Sequence, residues 1–175
     1  SGICIKSNRF IALDGYRLAI RKGNFKADEE VVFHKDILPI VKKIKTNEEI
    51  KIYYNNKYVR FNIGELDIIG SRIEEKYIDI DKIIPQSYAT EVEIRDTKEL
   101  LDLLKDYKKN NLQVVILNFK NNSLNSLTIS ASNEIMSIKD NLDITDIEGD
   151  DLEIAFNVSY LIDTLKNYDD ATLKM

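Results

Sequence analysis

Three amphipathic stripes, about 60 residues apart, constrain this chain more than any other feature. Ile37, Ile40, Val41 and Ile44 fall at i, i+3, i+4 and i+7. Leu100, Leu103, Leu104 and Tyr107 do the same, and so do Val158, Leu161, Ile162 and Leu165. That spacing puts each set on one side of a helix. Thr97 and Asn157 are suitable N-caps for the second and third helices. Pro39 fits only the first turn of a helix, so the first helix is expected to be short or irregular at its start.

Each stripe follows a short apolar strand: Val31 to Phe33, Glu91 to Ile94, and Leu152 to Phe156. Three strand-like runs follow each of the first two helices. They are Ile50 to Tyr54, Tyr58 to Ile63 and Leu66 to Ile73, then Leu112 to Phe119, Leu124 to Ala131 and Ile135 to Ile144. Asn-Asn pairs such as Asn55-Asn56 and Asn121-Asn122 sit between the runs, where turns are expected. The repeating unit is strand, helix, three strands. Three further strands precede it (Ile3 to Lys6, Phe10 to Leu13, Arg17 to Arg21), and a strand-helix-strand closes the chain. Such units bury their sheets only when helices cover one face. The expected class is α+β, with antiparallel sheets and the helices on one side.

The 175 residues allow one or two domains, and 43% hydrophobic with 31% charged residues supports a real core under a polar surface. No run approaches the ~18 apolar residues of a membrane span. Ser1-Gly2 reads as a cut end. One cysteine, Cys4, excludes an internal disulfide framework. The net charge of −5 argues against tight nucleic-acid binding, but not against loose electrostatic contact through lysines on one face. Catalytic signatures are missing: His34 is the sole histidine, no nucleophile elbow or phosphate-binding loop occurs, and the carboxylates lie in solitary or surface positions. No metal or cofactor is expected.

The most specific local run is Ile11-Ala12-Leu13-Asp14-Gly15-Tyr16-Arg17-Leu18-Ala19. An Asp-Gly pair between apolar runs signals a hairpin, because glycine tolerates positive φ. Ala12 to Ala19 resembles the A-T-D-G-H-R-L-A run of the bacterial sliding clamps, the beta subunits of DNA polymerase III, with Leu13 for Thr and Tyr16 for His. Three other places carry the resemblance. Ser71 to Pro85 is similar to S-R-L-I-E-G-x-F-P-D-Y-x-x-V-I-P, with Tyr77 for Phe, Ile78 for Pro and Ile80 for Tyr. Phe156 to Asp163 is similar to F-N-V-x-Y-L-x-D. Phe33-His34-Lys35 stands where the family often has a Pro-Arg-Lys type of helix start.

The resemblance implies clamp-like repeats, with residues 1–86 as the later part of the middle domain and 87–175 as the last domain without its final strands. It implies a non-catalytic processivity factor that encircles double-stranded DNA as a ring. In that family the complete protein is a cytoplasmic homodimer that tethers the polymerase III alpha subunit and the clamp loader through short linear motifs. Carried over by position, the partner-peptide pocket would comprise Leu13, Gly15, Tyr16, Arg17, Leu18, Ile78, Lys82, Ile83, Asn157 and Tyr160. Each buried apolar anchor of a bound peptide would contribute roughly 1.5–3 kcal/mol. Lys35, Lys42 and Lys43 would face DNA.

The residues also admit plainer readings. Arg17 could simply pair with Asp14 at the surface. Leu13, Leu18, Ile78 and Ile83 could be ordinary core, and Tyr160 could cap a packed face. Lys35, Lys42, Lys43 and Lys45, like Lys98, Lys105, Lys108 and Lys109, could form solvated helix faces diluted by Asp36, Asp102 and Asp106. A non-catalytic α+β interaction module of another family, with a purely structural Asp-Gly hairpin, is the alternative.

Overall fold

The computed structural model describes residues 2–44, 46–121, 126–144 and 146–175. It divides into two compact units, Ser1–Ile83 and Ile84–Met175.

In the first unit, β1 (Gly2–Lys6), β2 (Arg9–Leu13) and β3 (Leu18–Lys22) form a meander. The chain then returns as β4 (Val31–His34) to pair with β1 on its other edge. A 3-10 turn at Lys35–Ile37 leads into α1 (Leu38–Val41), with Pro39 in its first turn. A second meander follows: β5 (Ile50–Tyr54), β6 (Tyr58–Ile63) and β7 (Leu66–Ile73), with β7 beside β4. The result among the described residues is one seven-stranded antiparallel sheet, ordered β3-β2-β1-β4-β7-β6-β5. Ile3, Ile5, Val31, Phe33, Val59, Phe61, Ile63 and Ile68 form its core, with the Phe33 and Phe61 rings meeting edge-on at 5.4 Å.

The first stripe is only partly a helix face. α1 has four residues, and Ile37, Val41 and Ile44 pack on the core while Ile40 stands 55% exposed. α1 is about one turn long, too short to hold an i, i+3, i+4, i+7 stripe on one face. Lys45 lies outside the described residues.

The second unit holds β8 (Thr90–Ile94), α2 (Lys98–Lys109), the meander β9 (Val114–Lys120), β10 (Ser126–Ser132) and β11 (Ser137–Asp143), then β12 (Asp146–Gly149), β13 (Leu152–Asn157), α3 (Val158–Leu165) and β14 (Ala171–Lys174). Two sheets result, β11-β10-β9-β13 and β12-β8-β14. The first repeats the order β3-β2-β1-β4: three meandering strands, then a fourth laid against the first and leading into a helix. Leu100, Leu104 and Tyr107 of α2 and Val158, Leu161 and Leu165 of α3 are buried in a core with Val115, Leu117, Phe119, Leu127 and Ile129. The Tyr107 hydroxyl crosses this core to donate to Asp140 Oδ2 at 2.6 Å.

Three expectations need revision here. Thr97 does not cap α2 with its side chain: it is buried and donates its hydroxyl to the Tyr168 carbonyl instead. Asp96 takes the role, accepting from the Lys98 N–H at 3.1 Å. The run read as one strand from Ile135 to Ile144 ends at Asp143, and a separate strand, β12, pairs with β8 rather than with the meander. Leu112 is buried ahead of a strand that begins at Val114. Leu124 and Asn122 lie outside the described residues.

Candidate functional site

Alternation along the strands assigns the first unit two buried faces. Ile3 and Ile5 point to the main core, while Cys4 points the other way and is fully buried. Register places Ile11 and Val32 beside Cys4 on this second face, and both are buried. The segment 74–83 is tied to this face like a strap. Tyr77 accepts a bond from the Leu13 backbone and directs its hydroxyl to the Gly2 carbonyl at 3.4 Å, and its N–H donates to Glu30 Oε1 at 2.8 Å. Arg9 grips both oxygens of Asp81 at 2.8 and 3.1 Å. Ile80, within a 3-10 turn at Ile80–Lys82, is 1% exposed.

The same register directly opposes two of the predicted site residues in this unit. Leu13 and Leu18 are directly opposed at the end of the β2–β3 hairpin, on the second face and partly buried. Because Tyr77 touches the backbone of Leu13, the strap begins its crossing beside that pair. With Ile80 turned inward, its neighbours Ile78 and Ile83 stand 52% and 49% exposed. Aliphatic side chains half in water, on a strap anchored by charged and aromatic neighbours, are unsatisfied apolar surface. Lys82 is exposed at the end of the strap and lies 3.5 Å from Asp79.

At the hairpin tip, Asp14 Oδ1 accepts from the N–H groups of Tyr16 and Arg17 at 3.1 and 2.9 Å. The Arg17 guanidinium holds the other oxygen through Nε at 2.9 Å and a terminal nitrogen at 2.7 Å. That pairing, with the backbone bonds, keeps the Asp14 carboxyl below its ordinary pKa. So the Arg17–Asp14 pair is real, and it also fixes the shape of the tip. Gly15 takes φ +88° and Tyr16 stands 83% exposed beyond it.

In the second unit, Asn157 ends β13 and caps α3, its Oδ1 accepting from the Tyr160 N–H at 3.3 Å. The cap is the one expected, and it orients the first turn, where Tyr160 is half-buried. Lys35, Lys42 and Lys43 are all exposed around the short helical segment after β4. On α2, Lys105 and Lys109 are each bound to an aspartate one turn back, Asp102 and Asp106, so their charge is largely neutralised within the helix.

Residues 81–175 match the family model for the C-terminal domain of the DNA polymerase III beta subunit. The chain belongs to the DNA polymerase III beta subunit family. Relatives named beta sliding clamp agree: that of Staphylococcus epidermidis is 30% identical over 174 residues, covering 94% of this chain and 46% of the relative. The Staphylococcus aureus clamp is 29% identical over 177 residues, with the same coverage. Among solved structures, the DNA polymerase sliding clamp of Bacillus subtilis superimposes with a TM-score of 0.85 at 25% identity, covering 99% of this chain and 50% of that one. The chain thus spans about half the length of the beta subunits it resembles.

His34 is exposed with Nδ1 3.0 Å from Asp36, and among the described residues no group of three or more His, Cys, Asp or Glu side chains could hold a metal. Burial pushes the Cys4 thiol up to about 11, with Glu30 adding to the shift, so it is a core residue and not a nucleophile. No helix of the described residues is long and apolar enough to cross a membrane. Ile20 follows Leu18 on the same strand face, opposite Ile11, and is 37% exposed.

Proposed function

We propose that this chain is part of a processivity clamp, a non-catalytic protein that encircles duplex DNA and tethers polymerase to it through short peptide motifs. Family membership supports the clamp role. The observation that supports the peptide site is the strap: it leaves Ile78 and Ile83 half in water while its own Ile80 is buried, and its Tyr77 is bonded to the backbone of Leu13, which opposes Leu18 in the hairpin. Leu13, Leu18, Ile78 and Ile83 offer an apolar surface to Leu and Phe side chains of a partner. Gly15 lets the tip turn, and Tyr16, Arg17 and Lys82 supply aromatic and polar contacts around it. Asn157 and Tyr160 of the second unit are assigned hydrogen bonds to a partner peptide on the family resemblance alone. Lys35, Lys42 and Lys43 contact DNA phosphates without reading bases. The ring forms by dimerisation of the complete protein, and the clamp loader and polymerase share one type of motif. The boundary between the middle and last clamp domains falls near residue 86.

The test is fluorescence anisotropy with a labelled peptide containing Gln and a Leu-Phe pair. The chain should bind it, and Leu18→Asp should weaken binding by at least roughly tenfold, since one lost apolar anchor already costs roughly 1.5–3 kcal/mol. Arg17→Ala and Tyr160→Ala, alone and together, show through a double-mutant cycle whether the two units act on one peptide. Unchanged binding in Leu18→Asp would refute the site.

A further inference from the structure

Asp-Gly is the aspartyl dipeptide most prone to backbone isomerisation, because glycine places no side chain in the way of its own nitrogen. That nitrogen attacks the aspartyl Cγ, and its proton leaves with the carboxyl hydroxyl as water, closing a five-membered succinimide. Water then adds at the former main-chain carbonyl and opens the ring to isoaspartate, so the net change is a rearrangement with no oxidant or other co-reactant. The step needs a carboxyl group that is protonated and free to rotate toward the next nitrogen.

Asp14-Gly15 has the exposure for this reaction. It lies at the β2–β3 tip, a methyl group placed on Gly15 would meet nothing within 4 Å, and Tyr16 beyond it is 83% exposed. Packing therefore offers no protection. The carboxylate, however, is held by four bonds directed forward to residues 16 and 17: two backbone N–H groups on Oδ1 and two guanidinium nitrogens on Oδ2. Among the described residues, two other hairpins share the backbone half of this arrangement. Asn55 Oδ1 accepts from the N–H groups of Lys57 and Tyr58, and Asn133 Oδ1 accepts from those of Ile135 and Met136. Neither asparagine precedes a glycine; the residues that follow are Asn56 and Glu134. The arginine fork is thus found at the tip whose sequence most needs it.

We propose that Asp14-Gly15 is a latent isoaspartate site and that Arg17 is the positioning residue that holds it shut. Isomerisation would insert a methylene into the main chain between Leu13 and Tyr16, and so would shift the register of the tip that carries Tyr16 and Arg17. This inference stands on the hairpin geometry and needs no partner peptide, so its outcome is separable from that of the binding experiment.

The experiment ages the purified chain at physiological pH and temperature. Isoaspartate is read at residue 14 by peptide mapping with electron-transfer fragmentation, and in total by methyl transfer from a protein isoaspartyl methyltransferase. Arg17→Ala should accumulate isoaspartate about two- to fivefold faster than wild type, the factor set by loss of an exposed ion pair. Arg17→Lys, which keeps the charge but not the fork, should fall between them. A synthetic peptide spanning residues 10–21 sets the unrestrained rate. Equal rates in wild type and both variants overturn the proposal, and so does a wild-type rate equal to that of the peptide. If Arg17→Ala lowers the melting temperature, the wild-type chain in high salt decides. Screening the pair should speed the reaction, and a salt-independent rate overturns the proposal.

Discussion

Ile80 has no contact with solvent or partner, yet its truncation should weaken peptide binding. Ile80→Ala removes three carbons from a site that is 1% exposed. The lost transfer energy alone is about 2.4 kcal/mol at roughly 0.8 kcal/mol per carbon, and a residual cavity raises the total toward about 5 kcal/mol. The strap can respond in two ways. It can stay in place over a void, or it can lift from the second face and surrender the Tyr77 contacts with Gly2 and Leu13. A ten-residue surface segment held by one buried aliphatic, one half-buried ring and a surface ion pair should lift, because the rest of the sheet loses little when it does. Hydrogen exchange by mass spectrometry is the assay. Amides in 76–83 should exchange faster in Ile80→Ala, with β9 and β10 of the second unit as unchanged internal references. Peptide affinity should fall by at least roughly tenfold, since Ile78 and Ile83 are displaced together and each anchor contributes roughly 1.5–3 kcal/mol. If affinity and strap exchange both match wild type while the urea midpoint falls, the strap is not positioned by Ile80 and the reasoning fails.

Other consequences are as specific. Tyr107→Phe leaves the ring in place but deletes the bond to the Asp140 carboxylate, so unfolding free energy should drop by about 1.5–3 kcal/mol, as for other bonds to charged groups, and Asp140→Asn in a double-mutant cycle should show coupling. Asn157→Ala removes the α3 cap and should cost about 1 kcal/mol in urea denaturation, with Asn157→Asp close to wild type. Cys4 should resist thiol reagents until the chain unfolds. The folded thiol holds its proton up to about 11, against 9.0 for a free thiol, so its contribution is complete below about pH 9 and disappears as pH rises to about 11. The loss, about 2–3 kcal/mol in all, should be absent from Cys4→Ala.

Much of the architecture was legible because it rests on local chemistry. The strands at Ile50–Tyr54, Tyr58–Ile63 and Leu66–Ile73 carry alternating or β-branched residues between turn formers, and the structure places them at those residues. The α3 stripe and its Asn157 cap were legible for the same reason: cap, spacing and strand end lie within nine residues. The surroundings of the hairpin tip were legible in part. Leu13, Arg17 and Leu18 flank an Asp-Gly turn, which fixes its own neighbourhood. Ile20 shares the strand face of Leu18, and the alternation that marks Leu18 marks it too.

What sequence alone determined is most of the elements and the hairpin tips, since hydrogen bonds and side-chain periodicity over a few residues are enough to define them. Tertiary structure decided which apolar residues are core. Nothing within 74–83 distinguishes Ile80 from Ile78 and Ile83; only the second face of the sheet, built from β1, β2 and β4, buries the first and leaves the others in water. Likewise Thr97 looked like a cap until the carbonyl of Tyr168, 71 residues away, offered its hydroxyl a better partner. Burial and long-range pairing depend on surfaces that exist only once distant segments have met.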